Sequence, residues 1–114
     1  MAQLTFNLPT GSARVELTIE EAQAIHQALD RLMDQLKTVA KQPVPAGRIT
    51  PQPVFEYRQT DRLFLEIFCN PNLYPSPFAA KVLLTVRDAQ LRLTVETELT
   101  QMIEDVNQFL EMHV

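Results

Sequence analysis

Apolar and polar residues alternate in three runs between Arg62 and Leu99, and these runs dominate the pattern of the chain. They read RLFLEIFCN, KVLLTVRDA and QLRLTVETEL. A period of two is typical of an antiparallel strand buried on one face, because successive side chains point to opposite sides of the sheet. The predicted inward-facing side chains are Leu63, Leu65, Ile67, Cys69, Val82, Leu84, Val86, Leu91, Leu93 and Val95.

Shorter alternating runs precede this stretch. Residues 3–8 and 13–18 are predicted to pair as a hairpin, with Gly11 in the turn because glycine accepts a positive φ. Residues 54–60 predict a further strand that turns at 59–61 into the central run. Residues 88–90 are polar or small and few enough to close a hairpin between the last two runs.

Two segments carry the period of an amphipathic helix. The first begins after Thr18, because Thr18 and Glu21 have the spacing of a capping box. Its apolar stripe is Ala22, Ile25, Leu29, Leu32, Leu36 and Val39. The second begins near Thr97 or Thr100, with an apolar face of Leu99, Met102, Ile103, Val106, Phe109 and Leu110. Its predicted solvent-facing side is Glu98, Gln101, Glu104, Asp105, Gln108 and Glu111.

These elements predict one α+β domain over residues 1–114, in the order ββα-ββββα. We expect two layers, a mostly antiparallel sheet of five to six strands and two helices that cover it. Residues 42–53 hold four of the eight prolines and predict an extended crossover connection, with a docking peptide as the alternative. The first helix's stripe also matches a coiled-coil seam, so a homodimer through it is the alternative to packing on the chain's own sheet.

The opening of the chain resembles the start of ubiquitin-like β-grasp domains. A strand, a turn at Thr10-Gly11, a second strand and a helix follow one another there as in that family. The resemblance covers about the first third of the chain and lies in element order alone. We carry over no function from it, because the sequence has no counterpart of the C-terminal glycines that the family uses in conjugation and sulfur transfer.

Composition excludes several function classes. The net charge is -4 and the ten Lys and Arg residues are spread along the chain, which argues against nucleic acid as a partner. Glycine occurs only at Gly11 and Gly47, so no glycine-rich loop is present to hold a phosphate. No apolar run reaches the roughly 18 residues of a membrane span. The single cysteine, Cys69, fits a reducing compartment, so we expect a cytoplasmic protein without a secretory signal.

No set of side chains predicts catalysis, a cofactor or a metal ion. His26 and Asp30 lie four residues apart on the first helix, but no nucleophile is near them in the pattern, so we expect an exposed pair. Cys69 takes an inward position on a central strand and is expected to be a small core residue. The spacing of Cys69, His26 and His113 lacks the short pairs of zinc ligands.

The loop 70–78, NPNLYPSPF, is the least generic segment of the chain. Its three prolines stiffen it, and stiffness lowers the entropic cost of binding. Leu73, Tyr74 and Phe78 place apolar groups on a connection that is usually polar, and Tyr is enriched at binding hot spots. The alternative is that these three side chains fold back as a lid over the sheet edge.

Three apolar residues also interrupt the outward face of the predicted sheet. Phe64, Phe68 and Leu83 stand among charged residues and threonines, where a solvated face is expected. We expect these three side chains to lie under a loop or a helix, or in a subunit interface. A base-stacking platform is disfavoured because the chain is acidic.

We therefore predict a non-catalytic cytoplasmic protein-interaction module, such as an assembly factor or a regulatory or accessory subunit. Its candidate partner-binding residues are Leu73, Tyr74, Phe78, Phe64, Phe68 and Leu83. One alternative is a small-ligand-binding domain or small enzyme with a pocket at the 70–78 loop, where Arg58 and Arg62 would bind an anion. Another is a structural homo-oligomer. No motif identifies the protein partner.

Overall fold

The structure, a computed structural model, describes residues 1–41 and 51–113. Its strands and helices are β1 (Ala2–Leu8), β2 (Gly11–Leu17), α1 (Ile19–Ala40), β3 (Phe55–Gln59), β4 (Phe64–Cys69), β5 (Lys81–Arg87), β6 (Arg92–Glu98) and α2 (Leu99–His113). The predicted α+β class and the order ββα-ββββα are confirmed. Of the predicted connection over 42–53, residues 42–50 lie outside the described residues, and 51–53 belong to no helix or strand.

The strands form two antiparallel sheets, whereas the sequence pattern predicted one. β1 pairs with β2, and β3, β4, β5 and β6 pair in chain order as a meander. β1 lies beside β6 without backbone pairing. On β1, the backbone N–H of Asn7 donates to Asp105 Oδ2 of α2 at 2.8 Å. The Asp105 side chain therefore accepts a backbone N–H of β1. In a single continuous sheet, that N–H would instead donate to a neighbouring strand.

The predicted capping box begins α1. Thr18 Oγ1 accepts the Glu21 N–H at 3.0 Å, and Glu21 Oε1 accepts the Thr18 N–H at 2.8 Å. Two backbone donors that have no partner within the helix are thereby satisfied. Five of the six predicted stripe residues are at most 1% exposed, namely Ala22, Ile25, Leu29, Leu32 and Leu36, and Ala28 is buried with them. Val39 is only half-buried. The buried side chains are used inside the chain's own core, so the proposed coiled-coil seam is not a free surface.

The inner face of the four-stranded sheet follows the predicted alternation. The fully buried positions include Leu65, Ile67, Cys69, Val82 and Leu84, and they share one core cluster with both helices and with β1 and β2. The prediction is wrong for Leu91, which is 67% exposed. Leu91 lies between β5 and β6, one residue beyond the predicted turn 88–90, and its backbone N–H donates to Asp88 Oδ1 at 2.7 Å.

The predicted wet side of α2 is wrong at Asp105, which is only 5% exposed. Its Oδ2 accepts the Asn7 backbone N–H, while its Oδ1 accepts Asn7 Nδ2 at 2.8 Å and Gln101 Nε2 at 2.9 Å. Asp105 lies three residues after Met102 and four before Phe109, on the same side of the helix as these buried side chains. A buried carboxylate is tolerated when such bonds replace its hydration.

Replacing Asp105 with alanine is expected to lower the free energy of unfolding by about 2–3 kcal/mol, because the Asn7 donors lose their acceptors in a partly buried site. Urea unfolding followed by circular dichroism measures the change. Glu104→Ala, at the exposed neighbouring position, is the matched control and should stay within about 0.5 kcal/mol of the wild type. Equally small effects at both positions would show that the Asp105 bonds contribute no net stability.

Candidate partner-binding surface

Asparagine side chains fix the backbone of the loop between β4 and β5. Asn70 Oδ1 accepts the Asn72 backbone N–H at 3.1 Å. The Asn72 side chain in turn bonds both backbone groups of Gln52, accepting its N–H at 2.8 Å and donating to its carbonyl at 2.8 Å. Gln35 Nε2 on α1 donates to the Pro53 carbonyl at 3.1 Å. The loop is thus connected through these neighbouring residues to α1.

Two of the three prolines of this loop, Pro71 and Pro77, point inward, Pro75 is exposed, and two large apolar side chains point outward. Pro71 and Pro77 begin short 3₁₀ turns, Pro71–Leu73 and Pro77–Ala79, and both prolines are buried. Proline suits the first position of such a turn because it has no N–H to leave unpaired. Both turns pack against α1. Leu73 is 68% exposed and Phe78 is 85% exposed.

Tyr74 differs from the other two apolar residues of the loop. It is half-buried and packs against the core cluster. The pKa of its phenol is raised, mainly by burial and also by Cys69 and Glu96. A hydrogen bond with the Lys81 backbone lowers this pKa and partly offsets the rise. The structure therefore places Tyr74 as a packing residue and leaves Leu73 and Phe78 in solvent.

The other three candidate residues lie on the face of the four-stranded sheet that points away from the core. Phe68 and Leu83 are direct cross-strand partners, and Phe64 is the partner of Arg87, whose guanidinium carbon lies 4.3 Å from the ring centroid. Leu83 is 39% exposed, while Phe64 and Phe68 are half-buried. Since the loop turns pack toward the helices, the six predicted residues are divided between the loop and this sheet face.

Both arginines of the anion-binding alternative are already paired with carboxylates. Arg58 Nε donates to Glu66 Oε2 at 2.6 Å, and Arg58 Nη2 lies 3.3 Å from Glu56 Oε2. Arg62 Nη2 donates at 2.6 Å to Glu21 Oε1, the same oxygen that caps α1. Arg58 belongs to the end of β3 away from the 70–78 loop. Part of the donor set of each guanidinium is therefore occupied by a carboxylate.

Sequence reasoning missed Gln59, which it placed in a turn. Gln59 continues the inward alternation of Phe55 and Tyr57 and is 7% exposed. Within the described part of the chain, neither its Nε2 nor its Oε1 has a hydrogen-bond partner. The residue lines an open cavity of about 350 Å³, together with Glu20, Glu21, Ala24, Tyr57, Arg58, Thr60 and Asp61.

Groups with nucleophilic or metal-binding chemistry are isolated from one another. Cys69 is 2% exposed, and burial raises the pKa of its thiol to about 11, so the thiol stays protonated near neutral pH. His26 Nε2 lies 3.4 Å from Asp30 Oδ2, with both side chains well exposed. Over residues 1–41 and 51–113, no group of three or more His, Cys, Asp and Glu side chains is placed to hold a metal ion.

No protein-family model matches the chain, and no curated protein or solved structure is significantly similar to it. Among the helices described, none combines the length and the apolar character needed to cross a bilayer. The inference of function therefore depends on the exposed side chains and on how they are held.

Replacing Gln59 with leucine is expected to raise the free energy of unfolding by about 1–2 kcal/mol, because an apolar side chain of similar size removes two unsatisfied polar atoms from the interior. Chemical unfolding of both proteins measures this difference. Gln3→Leu, at an exposed strand position, is the control and should change stability by no more than about 0.5 kcal/mol. A loss of stability in Gln59→Leu would mean that the amide has a partner in solution.

Proposed function

We propose that this chain is a non-catalytic protein-interaction module, an assembly factor or accessory subunit, that binds a partner protein through Leu73 and Phe78. The observation that supports this most is their exposure, 68% and 85%, on a loop whose backbone is held by hydrogen bonds and buried prolines. Isolated exposed apolar residues are normal on protein surfaces. Two such residues within six positions of one fixed loop favour a docking site.

The fixed backbone supports binding because little conformational entropy remains to be lost on association. Residues 70–80 contain no charged side chain, so a complementary partner surface should be an uncharged apolar pocket rather than a charged groove. In such a pocket, leucine and phenylalanine contribute affinity through the area that they remove from water. We place the module in the cytoplasm, because its one cysteine is buried and has no partner for an intrachain disulfide.

The test compares the wild-type chain with Leu73→Ser/Phe78→Ser in affinity capture from a lysate of the source cells, followed by quantitative mass spectrometry. Both exposed side chains contribute little to the core, so the variant should unfold within about 0.5 kcal/mol of the wild type. Partner retention should fall at least tenfold, the effect of losing more than about 1.4 kcal/mol at a hot spot.

The matched control is Leu91→Ser/Met112→Ser, which removes two equally exposed apolar side chains, 67% and 71%, from other parts of the surface. It should retain the partner as the wild type does. Equal retention by all three proteins would overturn the assignment of the loop. Strong destabilisation of Leu73→Ser/Phe78→Ser would instead show that the loop side chains serve folding.

A further inference from the structure

The edge of β2 that faces away from β1 pairs with no other strand within residues 1–41 and 51–113. We call it the outer edge of β2 and define it by Ser12, Arg14 and Glu16, whose side chains are exposed. An unpaired strand edge presents a row of backbone donors and acceptors to which another strand can bind. The outer edge of β2 therefore offers main-chain hydrogen bonds to a partner strand.

The bond of Asn7 shows which backbone groups of β2 point away from β1. The Asn7 N–H donates to Asp105 of α2, so this residue directs its N–H away from β2. In an antiparallel pair, residues that exchange backbone bonds alternate with residues that do not, so Ser12, opposite Asn7, also points its N–H and C=O outward. The same alternation directs the N–H and C=O of Arg14 and Glu16 to the outer edge.

The two charged side chains of the outer edge have no ionic partner among the described residues. Their cross-strand neighbours on β1 are uncharged, since Arg14 lies opposite Thr5 and Glu16 lies opposite Gln3. Arg14 and Glu16 carry opposite charges two positions apart, on the same face of the strand. A strand with the same two charges in reverse order would complement them.

Other strand edges are already partly used within the chain. On β1, the Asn7 N–H is accepted by Asp105, and β6 lies beside the strand. On β3, Arg58 contacts both Glu56 and Glu66. The outer edge of β2 differs from both, because its charges and its outward backbone groups have no partner in the described part of the chain.

The outer edge of β2 is complementary to the same edge of a second copy. A two-fold axis perpendicular to the sheet at Val15 places Arg14 opposite Glu16 of the second copy, and Glu16 opposite its Arg14. Each of these pairs joins opposite charges, and its outward N–H and C=O groups can exchange both backbone bonds. On the buried face, Val15 meets its own counterpart, a β-branched pair that suits a strand contact. Every contact away from the axis occurs twice, as in an isologous dimer.

Charge also selects this register. Side-chain faces match only when the pairing moves by two residues, so the nearest alternatives are one such shift in each direction. One shift places Arg14 opposite Arg14 of the second copy, and the other places Glu16 opposite its Glu16. Like charges directly opposite each other destabilise a strand pair. The alternation of charge along β2 therefore favours one pairing and disfavours its neighbours.

We propose that the outer edge of β2 binds the same edge of a second copy of this chain, as a weak and reversible two-fold dimer that continues the β1–β2 hairpin across the axis. The contact is short, because the Thr18 N–H that follows the strand already donates to Glu21 Oε1 of the capping box. This surface is separate from the loop that carries Leu73 and Phe78.

Sedimentation equilibrium tests the proposal over protein concentrations from about 10 μM to about 1 mM, the range of weak association. The wild-type mass should rise with concentration toward that of a dimer. Arg14→Glu and Glu16→Arg each place like charges opposite one another twice, so each should weaken association about tenfold. Arg92→Glu, an equal charge change at an exposed position of β6, is the matched control and should associate as the wild type does.

Mixing Arg14→Glu with Glu16→Arg is the sharpest arm of the experiment. In the mixed pair every carboxylate of one chain lies opposite a guanidinium of the other, so the mixture should associate about as strongly as the wild type. Attraction by overall charge is not the reason, because each substitution changes a net charge of -4 by two units and both variants stay negative. Folding is checked by circular dichroism, and both exposed positions should tolerate the change.

Hydrogen exchange adds a readout of the backbone. The amides of Arg14 and Glu16 should gain protection as the concentration rises, whereas that of Val15, which points toward β1, should not. A wild type that stays monomeric throughout, or a mixture that associates no better than its separate components, would overturn the proposal. Neither result bears on the loop, because Leu73→Ser/Phe78→Ser leaves β2 intact and tests partner capture separately.

Discussion

The bonds between Asp105 and Asn7 connect residues 98 positions apart, and the arrangement of the two sheets depends on them. Without this carboxylate, an edge donor of β1 would need another acceptor, and apart from its own partner β2 the strand beside it is β6. The chain therefore joins its first hairpin to the rest through a side chain on a helix. Such a contact is specific, because a hydrogen bond donated to a buried acceptor requires one position and one orientation of the donor.

Much of the fold could be predicted because the alternation of apolar and polar residues in the central runs is compatible with only one choice of buried face. A shift of one residue would turn Leu65, Ile67 and Leu84 into solvent. The sequence pattern failed at Asp105 and Gln59 for the same physical reason. Hydrophobic periodicity assigns polar residues to the surface, and it contains no term for a distant hydrogen-bond partner. The sequence pattern also missed the division into two sheets, because the alternation of a strand specifies its buried face and does not specify which strand lies beside it.

The candidate surface was predictable only in composition. The prolines of the loop indicated a stiff segment. Its apolar residues were compatible with two alternatives, exposure for binding or a lid over the sheet edge. Which residues point outward depends on the burial of Pro71 and Pro77 and on the bonds of Asn72 to Gln52, which bring together residues 20 positions apart. Local sequence cannot contain that information. The pairing of Arg62 with Glu21, across 41 positions, is a second example.

The meander of β3 to β6 has a consequence for the order of folding. Each of its strands pairs only with a neighbour in sequence, so closing each hairpin costs little chain entropy. The β1–β2 hairpin, by contrast, is bonded to α2 across 98 positions, so its docking closes a much longer loop. Because β1 and β2 precede α2 in the chain, a ribosome makes the hairpin before the helix that it contacts. We expect the four-stranded sheet to be the kinetic nucleus of this chain.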